Sequence, residues 1–93
     1  MKPRRVDANQ STLVEQIRKI PGVTVKHTHM VAGGYGDICV GFRQKNYLFE
    51  IKDPSQPPSK RKLTPDEERF HKSWTGQIDT VLTIDDVLKV LGL

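Results

Sequence analysis

Apolar positions along the chain change period several times, and each change marks an element. Leu13, Val14, Ile17 and Ile20 recur at helical spacing, so residues 8–20 are expected to form an amphipathic helix with Asp7 as its N-cap. Pro21 and Gly22 end it. Residues 23–31, VTVKHTHMV, alternate as a strand does. Val23, Val25, His27 and His29 lie on one side, and the AGGYG that follows stops the run. Two further runs then share a face. Ile38, Val40 and Phe42 form one apolar set, and Tyr47, Phe49 and Ile51 form the other, with RQKN between them as a turn.

The two sets fall on the same side of a sheet only if the connecting loop is even. A two-residue loop at Arg43 and Gln44 satisfies this. It also places Asp37 directly across from Glu50, and puts Asp37, Glu50 and Lys52 together on the opposite face. After the loop DPSQPPSKRK, Thr64, Pro65 and Glu67 form a helix start of the capping-box type. Phe70 and Trp74 mark that helix's expected buried face, and Gly76 ends it. DTVLT reads as a short strand. Thr83 caps a last helix that carries Val87, Leu88 and Leu91. The order is helix, three strands, helix, strand, helix, which indicates a single α/β layered domain over residues 1–93.

Composition narrows the function. The chain has 93 residues, with 15 Lys and Arg against 11 Asp and Glu, a formal charge of +4. That balance favours a polyanionic partner. Nothing in the chain reads as a long apolar segment or an amphipathic basic helix, so a membrane partner is not expected. One cysteine rules out an internal disulfide, and Cys39 within a strand is expected to be a buried thiol. One Cys and three scattered His are too few for a zinc site. The first ten residues, MKPRRVDANQ, lack the apolar stretch of a signal peptide, so the expected location is the cytoplasm.

The candidate chemistry lies in GGYGDICVGFRQKNYLFEIKD, residues 33–53. Two carboxylates held a few ångströms apart repel one another, and a divalent cation removes that conflict. Mg²⁺ takes oxygen ligands and is commonly held by one or two carboxylates plus a substrate phosphate. Asp37 and Glu50 supply the carboxylates, and the backbone carbonyl of Ile51 is the expected third ligand. Lys52 would orient water or steady phosphate oxygens. The glycines at 33, 34 and 36 would let a nucleic-acid backbone come close. The bland alternative is a solvated hairpin face with a surface ion pair.

The pattern GD followed by EIK, set in the order αβββαβ, resembles the PD-(D/E)XK nuclease superfamily. With LTPDEERFHKSWTG it is most similar to small phage-type members of the VRR-NUC branch, relatives of Holliday-junction resolvases. The resemblance runs over nearly the whole chain. It implies a restriction-endonuclease-like αβββαβα fold with a central mixed β-sheet, and cleavage of DNA that depends on Mg²⁺ or Mn²⁺, often at branched or flapped structures. It makes Asp37 and Glu50 the metal ligands and Lys52 the catalytic lysine. Gly36 stands where the motif has proline. Many members also place a glutamate on the first helix near the metal. Here Gln10 shares the face of Leu13, Val14 and Ile17 while Glu15 points away, so a neutral side chain fits that place.

The remaining candidates are simpler. His71 is either an amphipathic residue at the edge of the core or a phosphate contact at the cleft rim. His27 and His29 read as a partly buried strand face rather than a metal pair, Trp74 as core, and Gln77 as a loop residue in preference to polar support near the site. Lys60, Arg61 and Lys62 in SKRK, and Arg4 and Arg5 in KPRR, are candidate phosphate contacts. A junction-resolving enzyme needs two sites, which implies a homodimer. A catalytically silent nucleic-acid-binding module of the same fold is the alternative. A small structural component of a ribonucleoprotein ranks third, since no RNA-recognition signature is present.

Overall fold

A computed structural model describes residues 8–93. The elements are α1 (Ala8–Arg18), β1 (Val23–His27), β2 (Ile38–Phe42), β3 (Lys45–Ile51), a short 3₁₀ turn (Pro58–Lys60), α2 (Pro65–Ser73), β4 (Asp79–Val81) and α3 (Ile84–Leu91). The four strands form one mixed sheet in the order β1-β2-β3-β4. β1, β2 and β3 are antiparallel neighbours, and β4 joins β3 in parallel. The described residues are thus mixed α/β, with a four-stranded sheet and three helices.

The hairpin has the register that the apolar parity demands. Ile38 pairs with Phe49, Val40 with Tyr47 and Phe42 with Lys45. The loop is Arg43-Gln44, and both residues have positive φ, 52° and 67°. That is the sign pattern of the turn that matches the twist of two antiparallel strands, though Arg and Gln adopt it at a cost that Gly and Asn avoid. On one face, Ile38, Val40, Phe42, Phe49 and Ile51 meet Leu13, Val14 and Ile17 of α1, Val81 of β4, and Val87 and Leu91 of α3. Each large side chain closed off there is worth roughly 1.5–3 kcal/mol relative to leaving it in water.

Two expected elements end early, for local reasons. α1 stops at Arg18, and Lys19 and Ile20 turn out through N–H bonds to the carbonyls of Gln16 and Ile17. β1 stops at His27 rather than Val31, because its partner strand begins at Ile38, the residue opposite His27. Beyond that point the Thr28 N–H bonds the carbonyl of Asp37 and the chain turns away.

The expected cap Asp7 lies outside the described residues. The capping box of α2 forms as anticipated: the Glu67 N–H donates to Thr64 Oγ1 at 3.2 Å, and the Thr64 N–H donates to Glu67 Oε1 at 2.9 Å. Trp74 is not core. It follows the last turn of α2 and is 42% exposed, while Phe70 is half-buried. Cys39 is half-buried rather than enclosed. Among the described residues no helix is long and apolar enough to cross a membrane.

Candidate functional site

Strand alternation gives Phe49, Glu50 and Ile51 opposite faces in turn, and all three are buried. Phe49 and Ile51 enter the apolar core. Glu50 points to the other face and is 1% exposed. One step beyond the Ile38–Phe49 pair, Asp37 stands across from Glu50, and it too is buried. The Asp37 carboxylate is held in place, since its Oδ2 accepts the Ile51 N–H at 2.7 Å. Its own N–H donates to the Phe49 carbonyl at 2.8 Å. Asp37 therefore terminates the ladder between the two strands with its side chain.

The electrostatics of Glu50 are extreme. Burial raises its pKa from 4.5 to about 10, and a hydrogen bond with Asp37, the Asp37 charge and the Glu67 charge push the same way, against a smaller opposing effect of Lys52. Its Oε1 is shielded from water and meets no hydrogen-bond partner. An enclosed carboxyl oxygen with nothing to bond is costly.

Lys52 ends the run. Its N–H donates to the Val81 carbonyl at 3.0 Å, which ties the end of β3 to β4. Its ammonium donates to Glu67 Oε1 at 2.8 Å. The same Glu67 oxygen accepts the Thr64 N–H, so the capping box and the lysine share one acceptor. Burial acts against the charge on Glu67. Hydrogen bonds from Lys52 and the Thr64 backbone, the Lys52 charge and a hydrogen bond with Glu50 outweigh it, and the Glu67 pKa falls below its usual value. Glu67 reads in the sequence as an N3 capping residue that lies beside the face of Phe70 and Trp74. The structure gives it a second role, holding Lys52 beside Glu50. The one signal for this was an acid at N3 of a helix that must pack near the EIK strand.

The first turn of α1 reaches the same place. Asn9 Nδ2 donates to the Lys52 carbonyl at 3.0 Å, a contact without a sequence signal. Gln10 is buried, as its helical face required, and its Nε2 lies 3.5 Å from His27 Nδ1. Glu15 is exposed. His27 is exposed, and its ring meets His29 edge-on at 5.7 Å. His71 is one helical turn past Glu67 and half-buried, with its ring against Phe70 and its Nε2 shielded without a partner. Gln77 is more than a loop residue. Its side-chain amide accepts the Leu48 N–H at 2.6 Å and donates to the Leu48 carbonyl at 2.8 Å, extending the edge of β3.

The glycines serve the protein's own packing. Gly34 has φ +79°, and a Cβ there would lie 2.7 Å from Asp66 O and Glu67 Cα; Gly36 has φ +117° and is pressed against Leu48 and Phe49. The bareness of Gly34 lets α2 come close and that of Gly36 lets β3 come close, in place of the expectation that all three glycines make room for a nucleic-acid backbone. Only Gly33 of the three faces open space.

The basic segment runs from the end of β3 to the cap of α2, so both its ends are fixed at the site. Lys60 and Lys62 are exposed and Arg61 is half-buried. Arg4 and Arg5 lie outside the described residues.

Among the described residues no three His, Cys, Asp or Glu side chains form a ready metal cage. Glu67, the third acid, is turned to Lys52. The donors left are Asp37, the orphan Glu50 oxygen and the Ile51 carbonyl. That carbonyl leaves β3 on the same edge as the Ile51 N–H, toward Asp37. This is a small all-oxygen set, the donor chemistry that suits Mg²⁺ or Mn²⁺ better than zinc. Comparison of the chain with protein families, with curated proteins and with solved structures returns no match.

Proposed function

We propose that the chain is a metal-dependent endonuclease that hydrolyses phosphodiester bonds in DNA, built on a restriction-endonuclease-like layering of the α/β sheet. The observation that carries this reading is Glu50: fully buried, one oxygen unpartnered, its pKa raised to about 10 beside Asp37. A divalent cation would supply the missing partner, make a water more acidic and offset charge building on the phosphate. Asp37, Glu50 and the Ile51 carbonyl would hold it. Lys52, aimed by Glu67 and the Thr64 cap, would steady the phosphate oxygens. Lys60, Arg61 and Lys62 would grip the DNA backbone, helped by Arg4 and Arg5. His71, one turn beyond Glu67, would stand at the rim, and Gln10 would support the site from α1.

A second reading is a nucleic-acid-binding module without catalysis. It is favoured by the neutral Gln10, where an acidic first-helix ligand would otherwise stand, and by the lack of a three-ligand cage among the described residues. One experiment separates the two. Labelled duplex, flap and four-way-junction DNA are incubated with the protein in Mg²⁺, Mn²⁺ or EDTA, as wild type and as Lys52→Ala. Metal-dependent cutting, lost at least about 10²-fold in the variant, is the expected result. Binding without cutting in either metal would leave the module. For junction substrates a homodimer is expected, and light scattering checks it; a strict monomer at high concentration would remove symmetric junction resolution.

A further inference from the structure

Trp74 is the chain's only tryptophan and it is 42% exposed. The ring is nevertheless held. Its Nε1 donates to the Gln77 carbonyl at 3.2 Å. One face stacks on Phe70, with centroids 5.0 Å apart and planes inclined by 23°. Tyr35 meets Phe70 and Trp74 edge-on, at 5.5 and 6.0 Å. Gly76 permits this pose, because a Cβ there would lie 2.8 Å from Trp74 Nε1. A loose surface indole would need none of these supports.

Beside two of the rings is a cavity of about 160 Å³, lined by Tyr35, Trp74, Leu48, Cys39, Asn46 and Gln77. That is room for a small flat group rather than a length of peptide. Its walls are the two rings, Leu48 and Cys39, with the amides of Gln77 and the exposed Asn46 as polar edges. Fixed aromatic faces of this kind suit nucleobases, which stack whatever their sequence.

The position is as telling as the surface. Tyr35 is two residues from Asp37, at most about 7 Å of chain. Phe70 lies one helical turn from Glu67, which holds Lys52. The rings and the candidate metal site are therefore adjacent on the α2 side of the sheet. The net charge of +4 suits a partner that carries phosphates along with its bases.

We propose that Tyr35, Phe70 and Trp74 form a stacking subsite for one unpaired base of a DNA strand whose phosphate lies at Asp37, Glu50 and Lys52. This rests on the nuclease reading and narrows its substrate to DNA with displaced or single-stranded bases, as at flaps and branch points. Base pairs locked in a duplex cannot reach the rings without unstacking.

The single tryptophan makes the test direct. Full-length protein in EDTA is titrated with a short thymidine strand and with an abasic strand of equal length and charge, and indole fluorescence is followed. The thymidine strand should quench Trp74 and bind about tenfold more tightly than the abasic one. For the variants, which lack the indole, affinities are read from the anisotropy of 5′-labelled strands: Trp74→Ala should bring the thymidine strand down to the affinity of the abasic one, while Trp74→Phe should keep most of the preference. Equal quenching by both strands, or none by either, overturns the subsite. So does an unchanged preference in a folded Trp74→Ala variant. Because no metal is present, the two readings fail separately. A protein that never cuts but shows base-dependent quenching loses the nuclease reading and keeps the subsite. One that cuts without such quenching keeps the nuclease and loses the subsite.

Discussion

On the sheet face covered by α1 and α3, Phe49 and Ile51 are shut off from water among Leu13, Ile17, Val87 and Leu91. On the face toward α2, Glu50 sits between them in the same strand, is buried just as deeply, and finds Asp37, Glu67 and Lys52. Neighbouring residues of one strand thus contribute with opposite sign. The apolar face supplies stability. The polar face consumes some of it to hold an ionisable group where water would otherwise keep it charged. A chain with so small a core tolerates few such sites, which is why this one reads as functional.

The comparison is broken most severely by exchanging what the two faces need. Phe49→Ala should cost about 3–5 kcal/mol, because it opens a cavity at the centre of the core. In a domain whose total stability is on the order of 5–15 kcal/mol, that leaves little or nothing folded near physiological temperature. Urea melts check it, and a loss below about 1 kcal/mol would mean the core is not where the packing puts it.

Glu50→Gln should act in the reverse direction. The folded pKa of about 10 stands above the ordinary 4.5, so metal-free folding must take up a proton at neutral pH. The stability linked to this group is complete below about pH 4.5 and drains away as pH rises toward 10. Glutamine needs no proton. The variant should therefore be more stable than wild type at pH 7 in EDTA, on the order of 1–3 kcal/mol, with a flatter pH profile, while cleavage is lost. Added Mg²⁺ or Mn²⁺ should raise the wild-type melting temperature and leave the variant's unchanged. A wild type whose stability is level between pH 5 and 9 would contradict the buried, proton-holding Glu50.

How far the site can be read from residues alone follows from what each reading needs. The hairpin register needs only parity: two apolar sets and a two-residue loop place Asp37 opposite Glu50, and β2 and β3 pair in that register. The α2 cap is equally local, four residues with one geometry. Which way α2 faces is not local. Phe70 and Trp74 look like a buried stripe on a helical wheel, but Glu67 is the residue of α2 that goes inside. That choice is made by Gly34, which brings the α2 backbone against the lead into β2. Asn9 on the Lys52 carbonyl depends on the same kind of tertiary placement, which spacing does not encode.

Thr64→Ala tests the link between cap and lysine with a smaller effect. Loss of the Thr64 side-chain acceptor should cost about 1 kcal/mol of stability. It should also loosen Glu67, whose oxygen holds Lys52. Cleavage should fall several-fold more than the melting shift accounts for, and Thr64→Ser should restore both. If activity follows stability alone, the cap merely starts a helix.

The gentlest test concerns the basic loop, which neither face of the sheet contains. Lys60 and Lys62 are exposed, and the segment is anchored at Lys52 on one side and at the Thr64 cap on the other. Contacts made here are with phosphates in water, so each should matter through released counterions rather than through buried bonds. Replacing Lys60 and Lys62 by Gln should leave the melting temperature within about a degree, since exposed charges of this kind contribute little to folding. The slope of log affinity against log salt should become shallower by about 0.9 for each phosphate contact removed. Base-dependent quenching of Trp74 should survive, because the rings and the loop recognise different parts of the strand. A slope that does not change would take the loop out of the footprint, and the net positive charge would then have to act through Arg4, Arg5 or the remaining surface lysines.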